Sequence, residues 1–301
     1  MKKLIFTLIG VFAVILGAEA QQEPQFTQYF DNTLYVNPAY AGSKEMLNIT
    51  AIHREQYVGF DGRPRSTTLT LHSPLRYESV GLGLSLVNDM IGPVRQTMIY
   101  GDVSYSLKFK NNTKLSFGVK GGINIMNLDV SELSNGSKPV GAITSFSNRI
   151  NPNFGVGILY HGPKFFFGIS TPKLIQTKIA SINTLLELRH YYITAGYVAH
   201  LSPKFKLRPS AQFKFTDGAP FSLDLSLAAI CNEKFWIGGT YRWDAAVGVF
   251  VQFMVSPQFK IGLASDFGTQ KIRNYNHGTF EALLSYSFKY ANKGIVSPRY
   301  F

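Results

Sequence analysis

The alternation of side chains limits this chain more than any other feature. From residue 46 onward, apolar residues recur at every second position in one segment after another. Residues 102–109 set Val103, Tyr105, Leu107 and Phe109 against Asp102, Ser104, Ser106 and Lys108. Residues 207–216 set Leu207, Ala211, Phe213 and Phe215 against Arg208, Ser210, Gln212 and Lys214. Residues 280–289 set Phe280, Ala282, Leu284, Tyr286 and Phe288 against Glu281, Ser285, Ser287 and Lys289. A period of two puts the two sets on opposite faces of a β-strand. About fourteen such segments can be counted, over 46–58, 63–73, 80–89, 94–109, 113–128, 152–161, 164–170, 189–201, 205–215, 221–231, 234–242, 245–255, 259–266 and 278–290. The first is the least regular, because its alternation falters at Arg54, Glu55 and Gln56.

The connections sort by parity. The even-numbered ones, over 74–79, 110–112, 162–163, 202–204, 232–233 and 256–258, are short. The odd-numbered set contains every long one, over 129–151, 171–188 and 267–277. Outer-membrane barrels combine short periplasmic turns with longer outside loops. A soluble β-sandwich has no reason to segregate loop length in this way. After residue 20 no run of 18 apolar residues exists, which leaves no candidate for a membrane-spanning helix. A closed barrel is the other structure that satisfies its backbone in lipid.

The expected fold is therefore all-β: a transmembrane, antiparallel outer-membrane β-barrel of about 14 strands. Its apolar faces meet lipid and its polar faces line the lumen. Lys108, Lys120, Arg208, Lys214, Asp224, Asp266, Glu281 and Lys289 fall on the polar faces. An even strand count puts both termini in the periplasm. Tyr100, Tyr160, Tyr191, Tyr241 and Tyr290 are expected near strand ends, where interfacial girdles lie.

Residues 1–20 have a basic start at Lys2 and Lys3, an apolar run from Leu4 to Leu16, and an Ala18-Glu19-Ala20 triplet. That pattern is expected of a cleaved secretory signal peptide. The expected organisation is a signal peptide over 1–20, an N-terminal periplasmic or plug segment over 21–45, the barrel over 46–290, and a tail over 291–301. Within 21–45, Phe26, Tyr29, Phe30, Leu34 and Tyr35 are compatible with a short amphipathic helix ended by Asn37-Pro38. A segment this aromatic is expected to pack into or against the periplasmic mouth of the barrel, or to meet a partner there. A second short helix is expected over 173–188.

Composition narrows the chemistry. A single cysteine, Cys231, rules out a disulfide framework and any multi-cysteine metal site. A formal net charge of +12 on an exported chain points to acidic partners or anionic lipid headgroups rather than nucleic acid. The six histidines show no i, i+4 pair. Gly81-x-Gly83 and Gly155-x-Gly157 lack a third glycine and lie inside strands, so they are expected to admit a close neighbour rather than a dinucleotide. No nucleophile elbow or P-loop occurs. No cofactor, no metal and no enzymatic activity are expected.

A set of motifs then runs through the chain in order. Gln25-Phe26-Thr27-Gln28-Tyr29 precedes Asn37-Pro38-Ala39-Tyr40-Ala41-Gly42. Arg54-Glu55-Gln56-Tyr57-Val58-Gly59-Phe60 leads into Asp61-Gly62-Arg63-Pro64, and His72-Ser73-Pro74-Leu75 follows. Gly81-Leu82-Gly83-Leu84, Asn88-Asp89, Ile91-Gly92-Pro93, Asn153-Phe154-Gly155-Val156-Gly157 and Ser297-Pro298-Arg299-Tyr300-Phe301 complete the set. In these motifs the chain resembles the PorP/SprF membrane proteins of the type IX secretion and gliding machinery of Bacteroidota. Tyr57 departs from the tryptophan expected after the glutamine.

The resemblance implies a non-enzymatic outer-membrane protein that works with type IX secretion and serves a secreted surface adhesin; because a barrel of this size is too narrow to pass a large folded adhesin, the expected role is that of an anchor or adaptor. It also implies periplasmic secretion components or a peptidoglycan-binding partner on the other side, with outer-membrane lipids around the wall. The candidate interaction or structural residues it marks are Gln28, Tyr29, Asn37, Pro38, Ala39, Tyr40, Gly42, Arg54, Gln56, Asp61 and Gly62. The alternative function is a passive, porin-like channel, which requires an open lumen.

Overall fold

The computed structural model describes residues 23–44, 46–76, 79–129, 145–178, 186–216, 220–269 and 276–288. The signal peptide over 1–20, the tail over 291–301, Lys289 and Tyr290 lie outside the described residues, as do the middles of the three long loops. Fourteen strands build one wall: β1 Asn48–Glu55, β2 Arg65–Pro74, β3 Val80–Ile91, β4 Val94–Lys108, β5 Lys114–Leu128, β6 Phe146–His161, β7 Phe165–Thr171, β8 His190–Tyr197, β9 Phe205–Thr216, β10 Ser222–Cys231, β11 Phe235–Arg242, β12 Ala246–Met254, β13 Phe259–Gly268 and β14 Thr279–Ser287. Each pairs antiparallel with its neighbour in sequence. The wall closes where β14 meets β1, with Asn48 opposite Ser287 and Glu55 opposite Phe280. Closure removes the exposed edges that an open sheet would present.

The parity of the connections carries over. The turns after β2, β4, β6, β8, β10 and β12 share one rim, and every long loop is on the other. Ala199–His200 continues β8 beyond a break at Val198.

The faces divide as alternation demands. Lys120, Arg208, Lys214, Asp224, Asp266 and Glu281 are buried inside the wall. Val103, Tyr105, Phe117, Val119, Leu225, Leu227, Leu263 and Leu284 are exposed on its outside. Lys108 shares the inward parity but is exposed at the end of β4. Tyr191 and Tyr241 face outward. Tyr100 does not belong to a girdle: it has the parity of Asp102, sits mid-strand opposite Gly122, and is buried.

Several boundaries moved, and two of them bear on the site. β1 stops at Glu55 rather than 58, and β6 starts at Phe146 rather than 152. The added part of β6 includes Asn148, Arg149 and Asn151, which carry no apolar alternation, and Asn148 takes φ 54° where the register with β5 shifts. The expected helix over 173–188 is not formed in its described part. Asn153 holds that chain in an irregular path: its Oδ1 accepts from the backbone of Leu174 at 3.0 Å and Ile175 at 2.9 Å. Beyond it, Thr177–Lys178 pairs with Leu186–Glu187 as a two-residue ladder. No described helix is long and apolar enough to cross a membrane.

Residues 23–44 lie inside the barrel. The single amphipathic helix expected there is instead three short pieces: a 3₁₀ turn at Tyr29–Asp31, one α turn at Thr33–Val36, and a 3₁₀ turn at Pro38–Tyr40. An amphipathic helix needs water on one face. Here the barrel wall is on all sides, and Phe26, Phe30, Leu34, Tyr35 and Tyr40 are all buried.

Candidate functional site

The lumenal segment and the inner wall form the most constructed site in the molecule. The segment starts toward the long-loop rim, where the Glu23 carboxylate lies 2.6 Å from Lys173 Nζ just beyond β7. It ends at the short-turn rim, where Gly42 sits against Pro74 and Gly81 at the turn between β2 and β3.

One wall, from β12 through β14 to β1, holds the segment by charge. Arg54 is buried on β1 and donates to Thr27 Oγ1 at 2.7 Å, Glu281 Oε2 at 3.2 Å and Asp266 Oδ2 at 2.6 Å. Glu281 in turn accepts from the backbone N–H groups of Thr27 and Gln28, at 2.8 and 2.9 Å. The Gln28 side chain bridges Glu281 on β14 and Gln252 on β12. Asp31 pairs with Lys260 on β13 and accepts from Gln252 at 2.7 Å. Charge-assisted bonds of this kind are the strong ones, and burial raises the cost of breaking them.

The segment's own carboxylates follow that logic. Burial alone would raise the Asp31 carboxyl, but Lys260 and Arg208 outweigh it and hold it down to about 2. Burial likewise opposes ionisation of Glu23, yet Lys173 and His190 hold it down to about 2, helped by the Tyr35 hydroxyl donating at 2.7 Å.

The opposite wall, β2 to β7, holds the segment by close approach. The Asn37 side chain donates to the Ile158 carbonyl at 3.1 Å and accepts from the Ala39 backbone at 3.0 Å, capping the last 3₁₀ turn. A Cβ at Gly157 would lie 2.1 Å from Asn37 Oδ1, so only glycine admits this packing. Pro38 and Ala39 lie against Gly118 on β5. The Ala41 carbonyl accepts from Ser104 at 2.7 Å. Tyr40 packs edge-on against His72, whose Nδ1 accepts from the Gly42 backbone at 3.2 Å, and Gly42 has φ 71°. Lys120, paired with Asp102 at 3.3 Å, donates to the Leu34 and Tyr35 carbonyls at the end of the α turn. Tyr29 reaches a third part of the wall, donating to Ser210 on β9 at 3.1 Å.

Of the residues marked from sequence, Gln28, Tyr29, Asn37, Pro38, Ala39, Tyr40, Gly42 and Arg54 meet in this site. Gln56, Asp61 and Gly62 do not. They belong to the β1–β2 loop at the long-loop rim, where Asp61 is exposed and the Gly62 carbonyl accepts from Gly92 at 2.9 Å. Sequence reading left out Glu23, Thr27, Asp31, Lys173, Gln252 and Lys260. The signal for Lys260 was available in its inward parity on β13. Its partner Asp31 lies 229 residues away, a pairing that alternation does not encode. Among the described residues, no group of three His, Cys, Asp or Glu side chains is placed to hold a metal.

Similar folds are found among solved outer-membrane barrels. The CymD monoaromatic hydrocarbon channel superposes with a TM-score of 0.54 at 14% identity, over 86% of this chain and 92% of that one. The TodX deltaS2S3 mutant monoaromatic hydrocarbon channel gives 0.50 at 11% identity, over 86% and 94%. The outer membrane protein Omp33 of Acinetobacter baumannii gives 0.49 at 8% identity, over 82% and 100%. The first two share the barrel architecture of this chain. No curated protein sequence matches the chain. A family model described as type IX secretion system membrane protein PorP/SprF matches residues 18–286, which takes in the lumenal segment and nearly every residue of the wall that holds it. The chain belongs to the PorP/SprF family of type IX secretion system membrane proteins.

Proposed function

We propose that this protein is a non-enzymatic anchor or adaptor of the type IX secretion machinery, with its lumen closed by residues 23–44. The short-turn rim, where β14 ends, faces the periplasm and meets secretion components or a peptidoglycan-binding partner. The long-loop rim faces outward, and the loops over 129–151, 171–188 and 267–277 hold a secreted surface protein. Residue 23 lies within the barrel, so the N-terminal contribution to the periplasmic face begins where the segment emerges at Gly42. Gln28, Asn37, Pro38 and Arg54 serve this function by keeping the segment in place.

The observation that carries this reading is the segment itself, bonded to the inner wall on β5, β6, β9, β12, β13 and β14. A solute pathway needs an open lumen, and a barrel of this strand number is too narrow to pass a large folded protein. Two measurements test the reading. In planar bilayers the wild-type protein is expected to be silent, while a variant lacking residues 23–42 conducts. In cells, removal of the gene is expected to deplete one or a few surface proteins. Wild-type conductance equal to that of the deletion variant, with an unchanged surface proteome, would leave the channel as the better reading.

A further inference from the structure

The outer wall carries a feature that the anchor reading does not use. A groove of about 640 Å³ crosses the outside of β12, β13, β14 and β1. Two in-register rows of outward side chains bound it. One runs His53, Ala282, Leu263, Val251; the other runs Glu55, Phe280, Ser265, Val249. The small side chains of Ala282 and Ser265 leave the depression between larger neighbours.

The groove is polar at one end only. Glu55 is the last residue of β1 and so lies at the long-loop rim, whereas Val251 is the sixth residue of β12 and lies deeper along the wall. At the rim end, Arg63 lies 3.2 Å and Arg65 3.6 Å from the Glu55 carboxylate, and His53 lies 3.7 Å from it. His53 also pairs with Thr67 at 2.8 Å. Two guanidinium groups thus share one carboxylate, leaving surplus positive charge where the apolar trough begins. Ionisable side chains on a lipid-facing surface are expensive unless something answers them.

We propose that this groove binds one lipid of the surrounding bilayer, with an anionic phosphate headgroup at Arg63 and Arg65 and an acyl chain along Ala282, Leu263 and Val251. The charge complementarity fixes the headgroup class, because guanidinium groups recognise phosphate oxygens in a planar fork. The width favours a lipid chain over a protein helix. Same-face rows two residues apart are separated by about 7 Å, and a helix with its side chains is about 10–12 Å across.

The experiment uses the full chain purified in detergent and native mass spectrometry with phosphatidylglycerol or phosphatidylcholine of matched acyl chains. The expected result is one retained lipid, with phosphatidylglycerol preferred by about fivefold, in line with the one guanidinium charge that Glu55 leaves uncompensated near a membrane surface. Joint Arg63→Ala and Arg65→Ala substitution is expected to remove the preference. Ala282→Phe fills the trough and is expected to reduce retention of both lipids. Heat-modifiable gel mobility reports that each variant is folded. Equal retention of the two lipids by the wild type, or undiminished retention by Ala282→Phe, overturns the proposal. So does a photocrosslinker at position 263 that captures protein rather than lipid in intact membranes.

Discussion

The wall from β12 to β1 and the wall from β2 to β7 grip one segment by different physics. The first uses charge: Arg54, Glu281, Asp266 and Lys260 form a connected set around Thr27, Gln28 and Asp31. The second uses shape: glycine in the strands lets Asn37, Pro38 and Ala39 lie against the backbone. Charge is long-ranged, titratable and costly when half-broken. Close packing is short-ranged, indifferent to pH and intolerant of added volume. The contrast teaches that the segment can be loosened on one side without touching the other.

The largest effect is expected on the charged wall. Arg54→Ala leaves the Asp266 and Glu281 carboxylates buried without their cation, and is expected to cost about 3–5 kcal/mol, the range for breaking one side of a buried ion pair. The thermal midpoint of heat-modifiable gel mobility measures it, and bilayer conductance should rise as the segment loosens. Arg54→Lys should rescue little, since one ammonium cannot reproduce the fork that serves Thr27, Asp266 and Glu281 together. A midpoint unchanged by Arg54→Ala would remove the charged wall from the account.

Next comes the packed wall. Gly157→Val drives a side chain into Asn37 and is expected to cost about 1–3 kcal/mol. The loss should be the same at neutral and acidic pH. A pH-dependent loss would mean that the two walls are not distinct.

Acidification acts on the segment's ion pairs, Asp31 with Lys260 on the charged wall and Glu23 with Lys173 beyond β7, and leaves the glycine contacts untouched. Glu23 and Asp31 are held to about 2, below ordinary values of 4.5 and 3.8. A depressed carboxyl contributes stability that is complete above its ordinary value and fades as pH falls toward the folded one. Protease access to residues 23–36 is therefore expected to stay flat from neutral pH down to about 5, then to rise between 4.5 and about 2. A rise already complete above pH 5 would contradict the pairing of Glu23 with Lys173.

The comparison also explains what the sequence made legible. The wall was readable because lipid outside and a polar interior impose period two on every strand. The loop parity was readable because a meander sends alternate connections to one rim. Reading faltered where the lumenal segment altered the inner face. Ile52, Val87 and Met98 are apolar yet face inward, packing on Phe26, Tyr35 and Val36. The irregularity at Arg54, Glu55 and Gln56 has the same source, joined to the outward pair His53 and Glu55 at the rim. The segment's helix was overestimated because helical spacing of aromatic residues assumes one wet face. Arg54 was marked, yet its partners were not, because Asp266 and Glu281 become its neighbours only when β14 closes on β1.

The smallest expected effect runs in the opposite direction. Lys214 is buried inside β9, and its Nζ makes no hydrogen bond among the described residues. It stands opposite Tyr192 on β8, one inward position from His190 in the cluster around Glu23, where its charge acts through space rather than through a hydrogen bond. A buried ammonium without a hydrogen bond gives up hydration and receives only that field in return. Lys214→Met keeps a long unbranched side chain, one atom shorter, and removes the charge. It is expected to leave stability unchanged or raise it by about 1 kcal/mol, as replacements of poorly satisfied buried charge do. The same thermal midpoint used for Arg54→Ala reads it. A loss comparable to that of Arg54→Ala would mean that the attraction of Lys214 to Glu23 and Asp224 exceeds its desolvation cost. The charged wall would then extend through β9 and β10, and the division between the two walls would have to be redrawn.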